Sequence, residues 1–149
     1  MIAYADTSWW LAYKCSDDAN HARAIRMLES LDDDAVVIWT PWQRVEVFNA
    51  FRQAERTGII AQGKARELIR ALEMEIRLGY WLHVEFDWRD AVRTACELSA
   101  EHSLQTPVRG MDLFHVAVAI ESASVLFMTF DREQLAFAKK AGIQPLSSR

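Results

Sequence analysis

Ile2-Ala3-Tyr4-Ala5-Asp6-Thr7-Ser8-Trp9-Trp10-Leu11-Ala12-Tyr13 is the stretch on which the fold class turns. Residues 2–5 are apolar or aromatic and read as a short buried strand. Asp6, Thr7 and Ser8 are residue types whose side-chain oxygens accept from the free N–H groups of a first helical turn. An apolar run follows them at once. A strand therefore feeds directly into a helix, with an acid at the junction.

Working outward, the same alternation repeats. After Asp17-Asp18, the residues Ala22, Ile25, Met27, Leu28 and Leu31 recur at helical spacing up to Asp32-Asp33-Asp34. Residues 35–39 form a second short, β-branched strand. Thr40-Pro41-Trp42-Gln43 is a capping box with proline at the first helical position, and the helix it starts carries Val45, Phe48 and Phe51 and stops near Gly58. A further amphipathic helix spans about 61–78, through Ala65, Leu68, Ile69, Leu72 and Ile76. Residues 81–86 read as a third strand. Residues 88–102 form a helix with Ala91, Val92, Ala95 and Leu98 on its apolar face. Residues 111–123 are apolar nearly all round, so that helix is expected to be central. The chain closes with strand 125–128, helix 132–141, Gly142 as a helix stop, and strand 143–146.

Strands alternating with helices or helix pairs argue for an α/β fold with a mostly parallel sheet covered on both faces. The length, 149 residues, suits one domain, and a hydrophobic fraction of 51% is enough for a core. No stretch approaches the roughly 20 apolar residues of a membrane span. The first strand follows Met1 directly, leaving no room for a secretory leader, so a cytoplasmic location is expected. Cys15 and Cys96 show no metal-ligand spacing and read as small buried hydrophobes. The net charge of -4 excludes a broad basic coat for holding phosphates. A nucleic-acid substrate would need a metal ion and local arginines to supply positive charge.

Parallel sheets bind ligands at the carboxyl ends of their strands, where the chain order reverses. Asp6 ends the first strand, Asp131 follows the strand 125–128, Glu46 lies early in the helix after the second strand, and Asp112 opens the buried helix. All four can face one crevice, where a divalent cation offsets their mutual repulsion. Such hard oxygen ligands suit Mg2+ or Mn2+. Asp6, Asp112 and Asp131 also make good helix caps. Glu46 does not, and its neighbours Val45 and Phe48 point to the packed side of its helix.

At these positions the motifs resemble those of the PIN-domain nucleases. Tyr4-Ala5-Asp6-Thr7-Ser8 is similar to their opening strand and D-T-S. Glu46, within Arg44-Val45-Glu46-Val47-Phe48-Asn49-Ala50, looks like their helical glutamate. Asp112-Leu113-Phe114-His115-Val116-Ala117 resembles their D-x-x-H-x-A helix, and Thr129-Phe130-Asp131 with Ala141-Gly142-Ile143 their T-x-D and closing A-G-I/L segments. The resemblance runs through the chain in order, so residues 1–149 are expected to form a single PIN domain, a three-layer α/β/α sandwich. The compact size resembles the VapC toxins of VapBC toxin-antitoxin modules. That resemblance implies a Mg2+-dependent endoribonuclease, with Mn2+ as the alternative ion. It implies a homodimer held inactive by a VapB-like antitoxin, whose C-terminal segment wraps the toxin and places a basic side chain in the acidic pocket. Asp6, Glu46, Asp112 and Asp131 are then the catalytic, metal-binding carboxylates. Phe114 and the bulky Trp9-Trp10 depart from the usual pattern without touching these acids.

Thr7, Ser8, Asn49 and Thr129 are candidates for orienting the carboxylates: Thr129 by its same-side position two residues before Asp131, Asn49 by helical spacing from Glu46. His115 is expected to be a packed, hydrogen-bonded histidine rather than a general base. Arg109 and Arg132, close to site acids, are candidate RNA phosphate contacts; Arg44 is a solvated or paired neighbour. The tryptophans are assigned to packing before base stacking. Two other functions fit parts of the pattern. An RNA-processing nuclease of the same fold without an antitoxin is distinguishable by gene neighbourhood. A receiver-like signalling domain needs paired acids after the first strand and a lysine after the last; Asp6 stands alone, and Gln144-Pro145-Leu146 offers no lysine.

Overall fold

In a computed structural model of the chain, residues 1–146 are described. The elements are β1 (Ile2–Ala5), α1 (Thr7–Lys14), α2 (His21–Glu29), β2 (Val36–Trp39), α3 (Pro41–Arg56), α4 (Lys64–Arg77), β3 (Leu82–His83), α5 (Trp88–His102), α6 (Gly110–Glu121), β4 (Leu126–Met128), α7 (Arg132–Lys140) and β5 (Gln144–Pro145). The five strands form one sheet in the order β3-β2-β1-β4-β5, with every pairing parallel. The chain first builds outward from β1 through β2 to β3, then returns to add β4 and β5 on the other side. The order reverses between β1 and β4, so a crevice opens there beyond their carboxyl ends.

Period-two alternation in the strands divides the core in two. Ala3, Ala5, Val37, Trp39, Leu126 and Met128 face α1–α4, whereas Tyr4, Ile38 and Phe127 face α5–α7. The expected three-layer α/β/α arrangement follows directly. The first layer is dominated by an aromatic cluster of Trp9, Trp10, Trp39, Trp81 and Tyr13, in which Trp10 meets Trp9, Trp39 and Trp81 edge to face at 5.0–5.1 Å. Among the described residues, no hydrogen-bond acceptor meets the indole N–H groups of Trp9, Trp10 and Trp39. In the second layer α6 is central as expected, burying His115 and 116–119 completely or nearly so.

The structure departs from the sequence reading where a residue's partner, rather than its type, decides. The strand expected over 81–86 pairs only at Leu82–His83, because its neighbour β2 ends at Trp39, where Thr40-Pro41 starts α3. Val84 and Phe86 turn instead toward the α5–α7 layer. The last strand likewise pairs at two residues beside the three-residue β4. The helix expected from 61 starts at Lys64, since Gly63 adopts a left-handed conformation at φ 82°. Val45 and Val92, expected on packed faces, are 57% and 52% exposed; the buried faces of their helices run through Val47, Phe48 and Phe51, and through Ala91, Ala95 and Leu98. Cys15 is half-buried, but Cys96 is exposed rather than packed.

Phe127 is fully buried and stacks on Tyr4 with ring centroids 5.5 Å apart. Phe127→Ala should cost about 3–5 kcal/mol, read as a lowered urea midpoint at unchanged m-value; a loss below about 1 kcal/mol would show that this layer is loosely packed.

Candidate active site

Asp6 stands where β1 leaves the sheet. Its backbone N–H still donates to Met128 O at 3.0 Å, completing the β1–β4 ladder, and its side chain caps α1 by accepting from Trp9 N at 3.0 Å. Capping uses only part of this carboxylate. Ser8 Oγ donates to Oδ1 at 2.7 Å and Thr129 Oγ1 donates to Oδ2 at 2.7 Å. Each hydroxyl has one proton and spends it on Asp6, so the Ser8–Thr129 oxygen contact at 3.2 Å is a close approach and not a third hydrogen bond. Three donors favour the ionised form, yet burial outweighs them: desolvation, helped by the charge of Asp112, pushes Asp6 up to about 6.

Thr129 also accepts from Asp131 N at 3.0 Å, tying the loop after β4 to the same point, and Ser8 Oγ accepts from Phe130 N at 2.9 Å. Asp131 caps α7 through Oδ1, which accepts from Glu133 N and Gln134 N at 2.8 and 3.0 Å. The Gln134 side chain does not return to close a capping box. It is buried, and its Nε2 donates to the Asp112 backbone oxygen at 3.1 Å, fastening the start of α6 to the start of α7. Asp112 is no cap: Arg109 holds that position, and Asp112 lies inside the first turn. Burial and the charge of Asp131 push its carboxyl above the usual range, against an opposing pull from Arg109.

Glu46 is half-buried on α3, with its carboxyl also raised by burial first and then by Asp112. Its Oε2 is 3.9 Å from His115 Nε2. This is not an ion pair, because burial pushes His115 down to about 3 and the ring is neutral. The imidazole is bound by Tyr4 Oη at Nδ1, 2.8 Å, and by Thr7 Oγ1 at Nε2, 3.2 Å. His115 is thus packed and hydrogen-bonded, as the sequence led us to expect. Thr7 bonds this imidazole rather than a carboxylate. Asn49 is exposed, and no hydrogen bond joins it to Glu46 among the described residues. Arg109 and Arg132 are exposed, whereas Arg44 is engaged with Glu73 at 2.6 Å and lies over the Phe48 ring.

Asp112 is therefore the electrostatic hub: its charge raises Asp6 and Glu46, and Asp131 raises it in turn. Four acids from four elements share one region at the switch point, with Arg109 as the cation acting on Asp112. Among the described residues, no three His, Cys, Asp or Glu side chains close into a ready-made cage. An ion that keeps several waters, as Mg2+ does, needs no such cage, and the all-oxygen donor set fits it. A hollow of about 240 Å³ next to Asp131 is lined by Thr129, Phe130, Arg132 and Arg23. Another hollow, of about 450 Å³, lies near the starts of β2 and β3, beside Val36, Tyr80 and Leu82, and is lined by none of these acids.

Residues 3–142 match the family described as PIN domain. The chain belongs to the PIN domain family. No curated protein matches it. Among solved structures, this PIN domain is similar to VapC20 of Mycobacterium tuberculosis, a sarcin-ricin loop cleaving toxin, at 21% identity and TM-score 0.66 over 95% of both chains. It is similar to VapBC2 of Rickettsia felis, bound to a promoter DNA fragment, at 14% identity and TM-score 0.68 over 97% of both chains. VapBC-1 of nontypeable Haemophilus influenzae superposes with TM-score 0.68 at 13% identity, over 99% of this chain and 98% of that one. At these identities the likeness is one of fold.

Two buried amides, whose contacts between elements nothing in the local sequence signals, hold this PIN domain's acidic edge together. Gln43 closes the capping box of α3 by accepting from Thr40 N at 2.7 Å, and its Nε2 donates to Ala5 O at 2.7 Å, fastening α3 to the end of β1. Gln134 does the same between α6 and α7. The capping-box pattern signals the first role of Gln43; nothing local signals the second.

Asp6 and His115 make opposite contributions to stability with pH. With the metal removed, the folded chain holds the Asp6 proton up to about pH 6 against an ordinary 3.8, so this contribution falls as pH rises through that window. His115 resists protonation down to about 3, so its contribution falls as pH drops below about 6.5. In EDTA, Asp6→Asn should exceed the wild type in stability by up to about 3 kcal/mol at pH 8. The difference should shrink toward pH 4 in denaturant titrations, leaving the variant with the steeper acid loss. A pH-independent difference would refute the burial penalty on Asp6.

Proposed function

We propose that this PIN domain, taken as residues 1–149, is a Mg2+-dependent endoribonuclease that serves as the toxin of a type II toxin-antitoxin module. The observation that carries the reading is the acidic region centred on Asp112, in which Asp6 is buried, held by three donors, and still raised to about 6. A structure that gathers acids at such a cost gains from a divalent cation. The ligands are Asp6, Glu46, Asp112 and Asp131, and Mn2+ is the alternative ion. When bound, such an ion supplies charge for the scissile phosphate and makes an attacking water more acidic.

The chain's own residues do the positioning. Ser8 and Thr129 hold both oxygens of Asp6, Thr129 also orders Asp131 through its backbone, and Gln134 fixes the turn that presents Asp112. The exposed Arg109 and Arg132 are the proposed contacts to RNA phosphates flanking the cleaved bond. Asn49 keeps a place as a candidate contact to Glu46 once the site is loaded. The acidic surface repels a polyanion until the cation arrives, so metal loading and substrate binding are coupled. The VapC and VapBC structures that share the fold support RNA as the substrate and a VapB-like antitoxin as the partner. A homodimer and a cytoplasmic location belong to the same reading. Among the described residues, no helix is long and apolar enough to cross a membrane.

Purified protein should cleave total cellular RNA with Mg2+, and both EDTA and Asp6→Asn should lower the rate by at least about 100-fold. Undiminished cleavage in either case would overturn the metal mechanism. Asp112→Asn should abolish growth arrest on expression while leaving the circular dichroism spectrum unchanged; persistent arrest would remove Asp112 from the site.

A further inference from the structure

Tyr4, His115 and Thr7 form a hydrogen-bonded chain that leads from the interior of the α5–α7 layer to the acidic region. Tyr4 and His115 are 0% and 1% exposed, so no solvent can reorient their protons. Tyr4 stacks on Phe127 on one side and meets the imidazole edge to face, and Trp42 packs against the same imidazole, which fixes the ring plane. A neutral imidazole carries one proton, and heavy-atom distances alone allow two arrangements. In one, Tyr4 donates to Nδ1 and the Nε2 proton goes to Thr7. In the other, every arrow is reversed, and Thr7 spends its proton on the ring.

Glu46 decides between them. Its Oε2, 3.9 Å from Nε2, is too far for a hydrogen bond but well within electrostatic reach. A carboxylate there is attracted by an N–H and repelled by a lone pair. The proton therefore resides on Nε2, Thr7 Oγ1 accepts it, and the single Thr7 proton turns away from the ring. We propose that Tyr4 and His115 are positioning residues that make Thr7 a hydrogen-bond donor facing the acidic cleft. The carboxylate oxygens there, and the phosphate oxygens of a substrate, are acceptors. A hydroxyl presented with its proton outward complements both, whereas the reversed chain would set lone pairs against them. The purpose assigned to Thr7 rests on the nuclease reading above; the direction of the chain does not.

The imidazole 15N shifts of labelled protein without metal test that direction. At pH 7 His115 should show a protonated Nε2 and a bare Nδ1, and the opposite tautomer would overturn the proposal. Calorimetric Mn2+ titration of wild type, Thr7→Val, His115→Leu and the double variant tests the coupling. Each single variant should bind about 10-fold more weakly, as is usual when a residue orienting a metal site is lost. The double variant should be no worse than about 10-fold, because His115 acts through Thr7. Additive losses, or wild-type affinity in Thr7→Val, would overturn the relay. Thr7→Ser, which keeps the hydroxyl, should restore binding, and it decides the matter even if His115→Leu fails to fold. Wild type that does not bind Mn2+ at all would instead remove the nuclease reading, and with it the role given to Thr7.

Discussion

A single buried carboxylate holds together the edge of the sheet at which the four acids gather. Asp6 receives hydrogen bonds from its own helix, from a hydroxyl two residues along, and from Thr129, just past the end of β4 and more than a hundred residues later. The last of these exists only because β4 pairs beside β1, with Ala5 opposite Met128. Were any other strand β1's neighbour on that side, Asp6 would be an ordinary helix cap, and its burial would be unsupported. The parallel β1–β4 pairing thus converts a capping residue into the centre of a charged site.

The rest of the edge shows the same economy of residues with two tasks. Asp131 caps α7 and takes its place among the acids. Gln43 closes a capping box and ties α3 to β1, while Gln134 joins the starts of α6 and α7. Backbone groups that a helix terminus or strand end leaves unpaired must find partners when buried. Here these partners come from neighbouring elements, so satisfying the termini also fixes the relative positions of Asp6, Glu46, Asp112 and Asp131. Site geometry and fold stability are consequently hard to separate at Gln43, Gln134 and Thr129, and easier to separate at the exposed Arg109 and Arg132.

Electrostatics gives the arrangement its direction. Desolvation raises Asp6, Glu46 and Asp112 together, and their mutual repulsion passes through Asp112. Three residues along α6 from Asp112, burial drives His115 toward its neutral form. The protein thereby keeps a neutral, oriented imidazole next to a group of acids that want a cation. On the proposed nuclease reading, a net charge of -4 is no obstacle to an anionic substrate, because the attraction would be local and conditional on the ion.

Much of this was legible in the residues themselves. Capping signals at Asp6, Thr40 and Asp131, apolar periodicity, and the strand-helix alternation specified the element types, the parallel sheet and the four acids, because each depends on neighbours within one or two turns. The same local rules misplaced Val45 and Val92, overextended β3, and put Cys96 inside. A helix face is buried only where a neighbour covers it, and a strand extends only as far as the strand it pairs with. The contacts of Thr129 with Asp6, of Tyr4 with His115, of Gln43 with Ala5 and of Gln134 with Asp112 were not legible at all. They span from 22 to 123 positions and arise from the strand order β3-β2-β1-β4-β5 and the packing of helices upon it. Sequence by itself determined which residues are capable of the chemistry. Only the tertiary structure decided which of them meet, because a hydrogen bond depends on distances of about 3 Å that local periodicity does not encode.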